Sequence, residues 1–308
     1  ALLPLPDNGT LLFDMMNSRF LQLGSDGKPG AFLSTPAPRA APDRRAPGSG
    51  FANGGRITGD RGMDARGRIY FQGLPIGPDG QPADSVPVMR WDRVAPTYDT
   101  VAWLRLPKNA ASVQTTRSGG QRIMAMRLGG NGAWPAADQW QVAPDGRIAI
   151  VSPEPYRVTW LRGSSRTTGP TIPYTPLRVT DAEKQEFLDQ RARQRPVAIA
   201  VDGGGSGAAN RALAASQAAQ EEPEWPETLP PFTGPNSVLM TPEGDVWVLR
   251  TRKASDKTPT YDLFDAAGKL TGKVTLRPNS RVVGFGKGTV YVARADEDDL
   301  EYLERYRR

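Results

Sequence analysis

Two residue types are missing altogether from this 308-residue chain: it has no histidine and no cysteine. Without histidine there is no imidazole to act as base in a Ser-His-Asp or Cys-His arrangement, and none to ligate zinc or haem. Without cysteine there is no thiolate nucleophile or metal ligand, and no disulfide to report the redox compartment. Long apolar runs are absent too, since no stretch approaches the ~20 residues that a membrane-crossing helix needs. Lysine is scarce, at 8 against 31 arginines, so the net charge of +6 rests on arginine. No dense basic run interleaved with aromatics marks a nucleic-acid surface, and a nucleic-acid partner is not expected. The basic balance fits association with acidic partners or anionic head groups. No cofactor, metal or catalytic residue set emerges from what remains, and the chain reads as a non-enzyme.

Glycine (33) and proline (29) are abundant, and hydrophobic residues make up 38% of the chain. That composition suits many short strands joined by turns rather than a helical bundle. Five tight turns of the Asp-Gly type are each followed at once by a β-forming run: LPDNGTLLFDMM (5–16), MDARGRIYFQG (63–73), VAPDGRIAIVSP (142–153), LMTPEGDVWVLR (239–250) and VVGFGKGTVYVARA (282–295). Further strand-like material follows each copy and completes a meander of three or four antiparallel strands, the size of a propeller blade. Within Asp245–Arg250, Val246 and Val248 point one way while Trp247 and Leu249 point the other. Both faces are apolar, as strands sandwiched between neighbouring blades require. Tyr261–Asp265 alternates more strongly and suits an outer strand. The expected fold is an all-β propeller, most simply of six four-stranded blades, with the weak strand Arg122–Leu128 as one source of the sixth. Trp103, Trp160 and Trp247 lie inside strand patterns, where blade packing is their expected role.

The run Thr241–Val248, then Tyr261–Asp265 with Gly268-Lys269-Leu270, and the closing strand Tyr302–Tyr306 resemble the six-bladed propellers of exported bacterial proteins of the NHL or TolB-like kind. The resemblance covers about two thirds of the sequence and implies a fold without an activity. The blade style and proline-rich arms are also similar to an extrinsic propeller subunit of photosynthetic reaction-centre and light-harvesting complexes. That likeness implies a stabilising subunit that binds other proteins and no pigment, in a membrane-associated complex. The chain opens on Ala1, and an exported, periplasmic protein whose signal peptide is removed upstream is the simplest expectation.

Two segments interrupt the repeat. Residues 36–53 form a Pro/Ala/Arg stretch with no apolar period, carrying Arg44 and Arg45. Residues 176–233 open on a helical stretch from Thr180 to Arg195, in which Thr180 and Glu183 make a capping box and Phe187, Leu188 and Arg191 share a face. A single blade cannot hold this much chain, so the segment projects from the ring. Both arms are expected to bind other protein subunits. Trp134 and Trp225 sit beside prolines in loops, as interface anchors do. The expected partner-binding residues are Trp225, Trp134, Phe187, Leu188, Arg44 and Arg45.

Three patterns point elsewhere. Gly203, Gly205 and Ala208 satisfy G-x-G-x-x-A, but no second parallel strand follows, and the acidic residues some 20 positions on lie in a proline-rich loop. Asp296–Asp299 lacks calcium-loop spacing and reads as a hairpin turn. Asp64, Asp145 and Asn236 lie near blade starts and offer a lactonase-type, divalent-metal hydrolase as an alternative, with a carbohydrate-binding propeller as another. Turn chemistry accounts for the same Asp and Asn residues.

Overall fold

The computed structural model describes residues 2–14, 19–34, 58–73, 83–94, 98–107, 111–118, 121–128, 132–193, 222–234 and 236–308, with 58–61, 111–118 and 121–128 as backbone only. The chain is a β-propeller. The first blade is β1 (Leu2–Pro4), β2 (Thr10–Asp14), β3 (Arg19–Leu23) and β4 (Pro29–Ser34). The second is β5 (Thr58–Met63), β6 (Ile69–Gln72), β7 (Ser85–Trp91) and β8 (Tyr98–Arg105). A separate hairpin follows, β9 (Ala111–Ser118) and β10 (Gln121–Leu128). The third blade is β11 (Gln139–Val142), β12 (Ile148–Pro153), β13 (Tyr156–Arg162) and β14 (Ser165–Thr168). After it come β15 (Leu177–Arg178), the helix α1 (Asp181–Arg193) and β16 (Thr228–Leu229). The fourth blade is β17 (Val238–Met240), β18 (Val246–Leu249), β19 (Thr260–Phe264) and β20 (Leu270–Thr275), and the fifth is β21 (Ser280–Gly286), β22 (Thr289–Ala295) and β23 (Glu301–Arg307).

Strand order within every blade is chain order, and all the paired strands are antiparallel. The repeated turns make this possible. Each of the five copies places one residue in the left-handed region where the chain reverses into the second strand of its blade: Asn8, Gly67, Gly146, Gly244 and Gly288. Asp carboxylates close several of these turns on backbone amides, as Asp7 does to Gly9 and Asp145 to Arg147. Asx turns of this type satisfy the amides that a tight reversal leaves unpaired.

Blades pack face to face, with one apolar cluster in each gap. Phe13 and Phe20 meet Ile69 and Phe71 between blades one and two, and Val86 and Val88 meet Trp140 and Ile150 between two and three. Val158 and Tyr156 meet Val246, Val248 and Phe264 between three and four, and Trp247 meets Val290 and Val292 between four and five. The opposed faces expected of β18 are therefore both buried, each in a different gap. The row Leu2, Leu12, Leu21 and Phe32 runs in register across the four strands of blade one, on the face turned away from blade two. Three of its members, Leu2, Leu12 and Phe32, are exposed, and the Arg19 guanidinium lies 3.7 Å above the Phe32 ring.

Several expectations change. Five sheets of blade form occur among the described residues rather than six, and Arg122–Leu128 pairs only within its own hairpin. Tyr261–Asp265 falls in the third strand of its blade, not the outermost, and Asp262 is 1% exposed. Its carboxylate accepts a hydrogen bond from Tyr156 Oη at 2.9 Å and lies 3.6 Å from Arg250. Burial, and then the Asp262 charge, push the Tyr156 phenol up from its ordinary pKa. Trp160 and Trp247 are buried as expected, but Trp103 is exposed, because β8 is an outer strand covered on one side only. No helix among the described residues is long and apolar enough to cross a membrane.

Candidate functional site

The segment leaving blade three returns to the ring through a narrow neck. Leu177 and Arg178 pair with Leu229 and Thr228, and Val179 N donates to Glu227 O at 3.0 Å. Between these strands the helix α1 starts where the sequence places it. Thr180 N donates to Glu183 Oε2 at 3.0 Å and the Thr180 hydroxyl donates to the same oxygen, while Glu183 Oε1 accepts from Ala254 N at 3.0 Å. The carboxylate thus caps its own helix and ties it to the loop after β18. Glu186 adds ion pairs to Arg252 (3.0 Å) and Lys257 (3.5 Å) from that same loop.

These donors, the Thr180 hydroxyl first, hold the Glu183 pKa down from 4.5 to about 2. A carboxylate with a depressed folded value stabilises the fold above its unfolded pKa and loses that contribution as pH falls toward the folded one. Docking of α1 is accordingly expected to weaken between about pH 4.5 and 2, and Glu183→Gln to remove that dependence, as read by amide exchange across residues 181–193. Thr180→Ala is expected to cost about 1 kcal/mol through the lost hydrogen bond from its hydroxyl to Glu183.

Tethered in this way, α1 brings Phe187 to two loop tryptophans. Ring centroids are 4.9 Å apart for Trp134 and Phe187, 5.6 Å for Phe187 and Trp225, and 5.7 Å for Trp134 and Trp225. The two loops are stitched by Ala133 N donating to Glu224 O at 2.9 Å, and Trp134 itself adopts a left-handed φ of 49°. Lys184 Nζ lies 6.0 Å from the Trp225 centroid. Of the residues expected to bind partners, Trp134, Trp225 and Phe187 form one cluster. Leu188 is exposed and stands outside it. Arg44 and Arg45 lie outside the described residues, as does the Gly203–Ala208 motif.

Against the tryptophans opens a cleft of about 560 Å³ with sixteen lining residues, six of them proline: Pro135, Pro153, Pro176, Pro226, Pro230 and Pro231. Thr251 fixes one wall, its N donating to Pro231 O at 2.9 Å and its hydroxyl to Pro230 O at 2.6 Å. The Tyr174 hydroxyl donates to Leu229 O at the floor. A second hollow of about 310 Å³, lined by Arg105, Leu106 and Asp138, shares Ala136, Pro153 and Glu154 with the first. The shared residues join the two hollows into one trough. Tyr174, Asp138 and Glu154 were not singled out from the sequence. Prolines flanking both tryptophans, in Trp134-Pro135 and Trp225-Pro226, were the available signal for the walls.

Two of the residues raised for a metal hydrolase, Asp64 and Asp145, are engaged by other partners. Asp64 accepts from Arg66 N, Arg68 N, Arg68 Nε and the Tyr70 hydroxyl; the burial of Tyr70, and then the Asp64 charge, raise the Tyr70 pKa to about 12. Asp145 is engaged by Arg147 and Arg162, and Asn236 is exposed. Among the described residues no three acidic side chains are placed to share a cation. Asp296 accepts from Asp298 N and Leu300 N, which closes the acidic hairpin turn.

No protein-family model matches the chain, and no curated protein matches it in sequence. Among solved structures it is similar to the PQQ-bound form of aldose sugar dehydrogenase from Streptomyces coelicolor, at 9% identity over 99% of this chain and 92% of that one, with a TM-score of 0.31. The chemistry of the cleft accordingly rests on its own residues.

Proposed function

We propose that this propeller is a non-catalytic subunit that binds other proteins through the Trp134–Phe187–Trp225 cluster and the adjoining cleft. The observation that carries this reading is the meeting of three rings from three separate segments, beside a concave apolar surface. Large rings clustered at the centre of a contact supply most of the energy in protein interfaces. A further reason is how they are held: a capped helix tied by two ion pairs to the loop after β18, and two loops stitched together, fix rings that lie outside the blade strands. The resemblance to exported propellers and to extrinsic light-harvesting subunits extends the proposal to a membrane-associated, extracytoplasmic assembly. The hydrolase alternative finds its Asp64 and Asp145 carboxylates already committed to turns and arginines.

The test is native purification from the source cells, with crosslinking mass spectrometry, of the unaltered chain and of Trp134→Ala/Trp225→Ala. Crosslinks are expected to concentrate at residues 132–136 and 222–231, and the variant is expected to lose its partners while keeping its far-ultraviolet spectrum. Undiminished partner retention by the variant would sink the reading.

A further inference from the structure

The trough carries a chemistry more specific than an apolar hollow. A proline contributes a carbonyl acceptor and a flat ring but no backbone N–H. With six prolines, its walls are rich in acceptors and ring surface and poor in donors. Trp134 and Trp225 are among its lining residues, and no hydrogen bond of their indole N–H groups occurs among the described residues. Charged side chains along the trough are acidic three to one. Glu154 and Glu224 are exposed at its edge and form no ion pair among the described residues. Asp138 Oδ2 accepts from Arg105 N at 3.1 Å, while Asp138 Oδ1 is enclosed with no hydrogen-bond partner. The single cation of the lining, Arg105, is turned to the Glu154 carbonyl at 2.9 Å rather than to a carboxylate.

We propose that the trough is the docking groove for an extended, proline-containing polypeptide segment of a partner protein that carries arginine or lysine. Three features of such a segment answer the three features of the groove. Its polyproline backbone is preformed and leaves carbonyls outward, where indole N–H groups can donate to them. Its prolyl rings stack on the Trp134 and Trp225 faces. Its guanidinium groups carry five donors and no acceptor, and meet the acidic side chains Asp138, Glu154 and Glu224 of the lining. Two adjoining hollows suit an extended chain, which can place residues in both. The inference rests on the partner-binding reading and names the partner's chemistry.

The experiment titrates the intact protein with three labelled twelve-residue peptides, followed by fluorescence anisotropy. One alternates proline and arginine, one has glutamate for arginine, and one has serine for proline. The Pro/Arg peptide is expected to bind about tenfold more tightly than the glutamate peptide, as three partly exposed charge pairs would give. It is also expected to bind more tightly than the serine peptide. Glu154→Gln/Glu224→Gln, both at exposed positions, is expected to weaken the Pro/Arg peptide severalfold and leave the serine-for-proline contrast intact. Asp138→Asn should weaken it in the same direction. Equal binding of the glutamate and arginine peptides, or no binding of any peptide, overturns the proposal. If the peptides fail while Trp134→Ala/Trp225→Ala still releases native partners, the ligand chemistry is wrong and the interface reading stands. If the Pro/Arg peptide binds but partner retention is unaffected, the groove chemistry holds and the interface reading falls.

Discussion

Phe264→Ala is expected to destabilise the protein by about 3–5 kcal/mol, the range for removing a fully enclosed aromatic from a packed core. Phe264 is 0% exposed and closes the gap between the third and fourth blades. Its ring meets Tyr156 edge-on, with centroids 5.8 Å apart and an interplanar angle of 76°. Neighbouring strands of a propeller are held by their own hydrogen bonds, so the cavity cannot collapse by moving one side chain. The phenol of Tyr156 would also lose part of the wall that fixes it on Asp262. Urea unfolding should show a lower midpoint with an unchanged slope. Phe32→Ala is the matched comparison, since Phe32 is 52% exposed on the uncovered face of blade one, and it should change stability by no more than about 0.5 kcal/mol. Equal effects of the two substitutions would remove the inter-blade core from the account.

Gly169→Ala is expected to cost about 3 kcal/mol, the upper part of the range for overpacking. A Cβ on Gly169 would stand 2.2 Å from Gly268 O and 2.7 Å from Gly268 C. Both contacts are with backbone, so no rotamer change relieves them. Gly268 is constrained in turn: its φ is 74°, and a Cβ there would lie 2.8 Å from Val158 O. Two glycines back to back therefore let the Ala266–Gly268 turn of blade four rest on the end of blade three, where Gly169 N donates to Val158 O at 2.9 Å. Gly163→Ala separates crowding from backbone strain. Gly163 has a φ of 55° with nothing within 4 Å of its missing Cβ, so it should cost only the left-handed penalty of about 1–2 kcal/mol. Thermal melts of the two variants decide the matter, and Gly169→Ala no worse than Gly163→Ala would show that the blades have slack at this contact.

Local chemistry was legible in the sequence. The Asp-Gly turns, the two-faced β18 and the Thr180–Glu183 cap each depend on residues a few positions apart, and each formed as its pattern implied. Trp134, Phe187 and Trp225 were recognisable one by one, as large rings outside the strand pattern. Their meeting was not, because it depends on Glu183 reaching Ala254 and on Ala133 bonding Glu224 across distant loops. Asp262 misled in the opposite direction. A charged residue in an alternating strand suggests water, yet Tyr156, remote in sequence, and Arg250, at the end of the neighbouring strand, accompany its burial. Trp103 misled because alternation does not say which strand of a blade is outermost.

The fifth blade has three strands, and β23 forms its outer edge. That strand reads Glu301-Tyr302-Leu303-Glu304-Arg305-Tyr306-Arg307, with four charges of both signs in seven residues. Arg281 of β21 clasps Glu301, and Arg294 of the adjacent β22 clasps Glu304. A foreign strand laid along this edge would have to align against fixed charges, and edges guarded in this way resist sheet-to-sheet growth. A second copy of the chain is thereby hindered from adding a strand at this edge of the fifth blade.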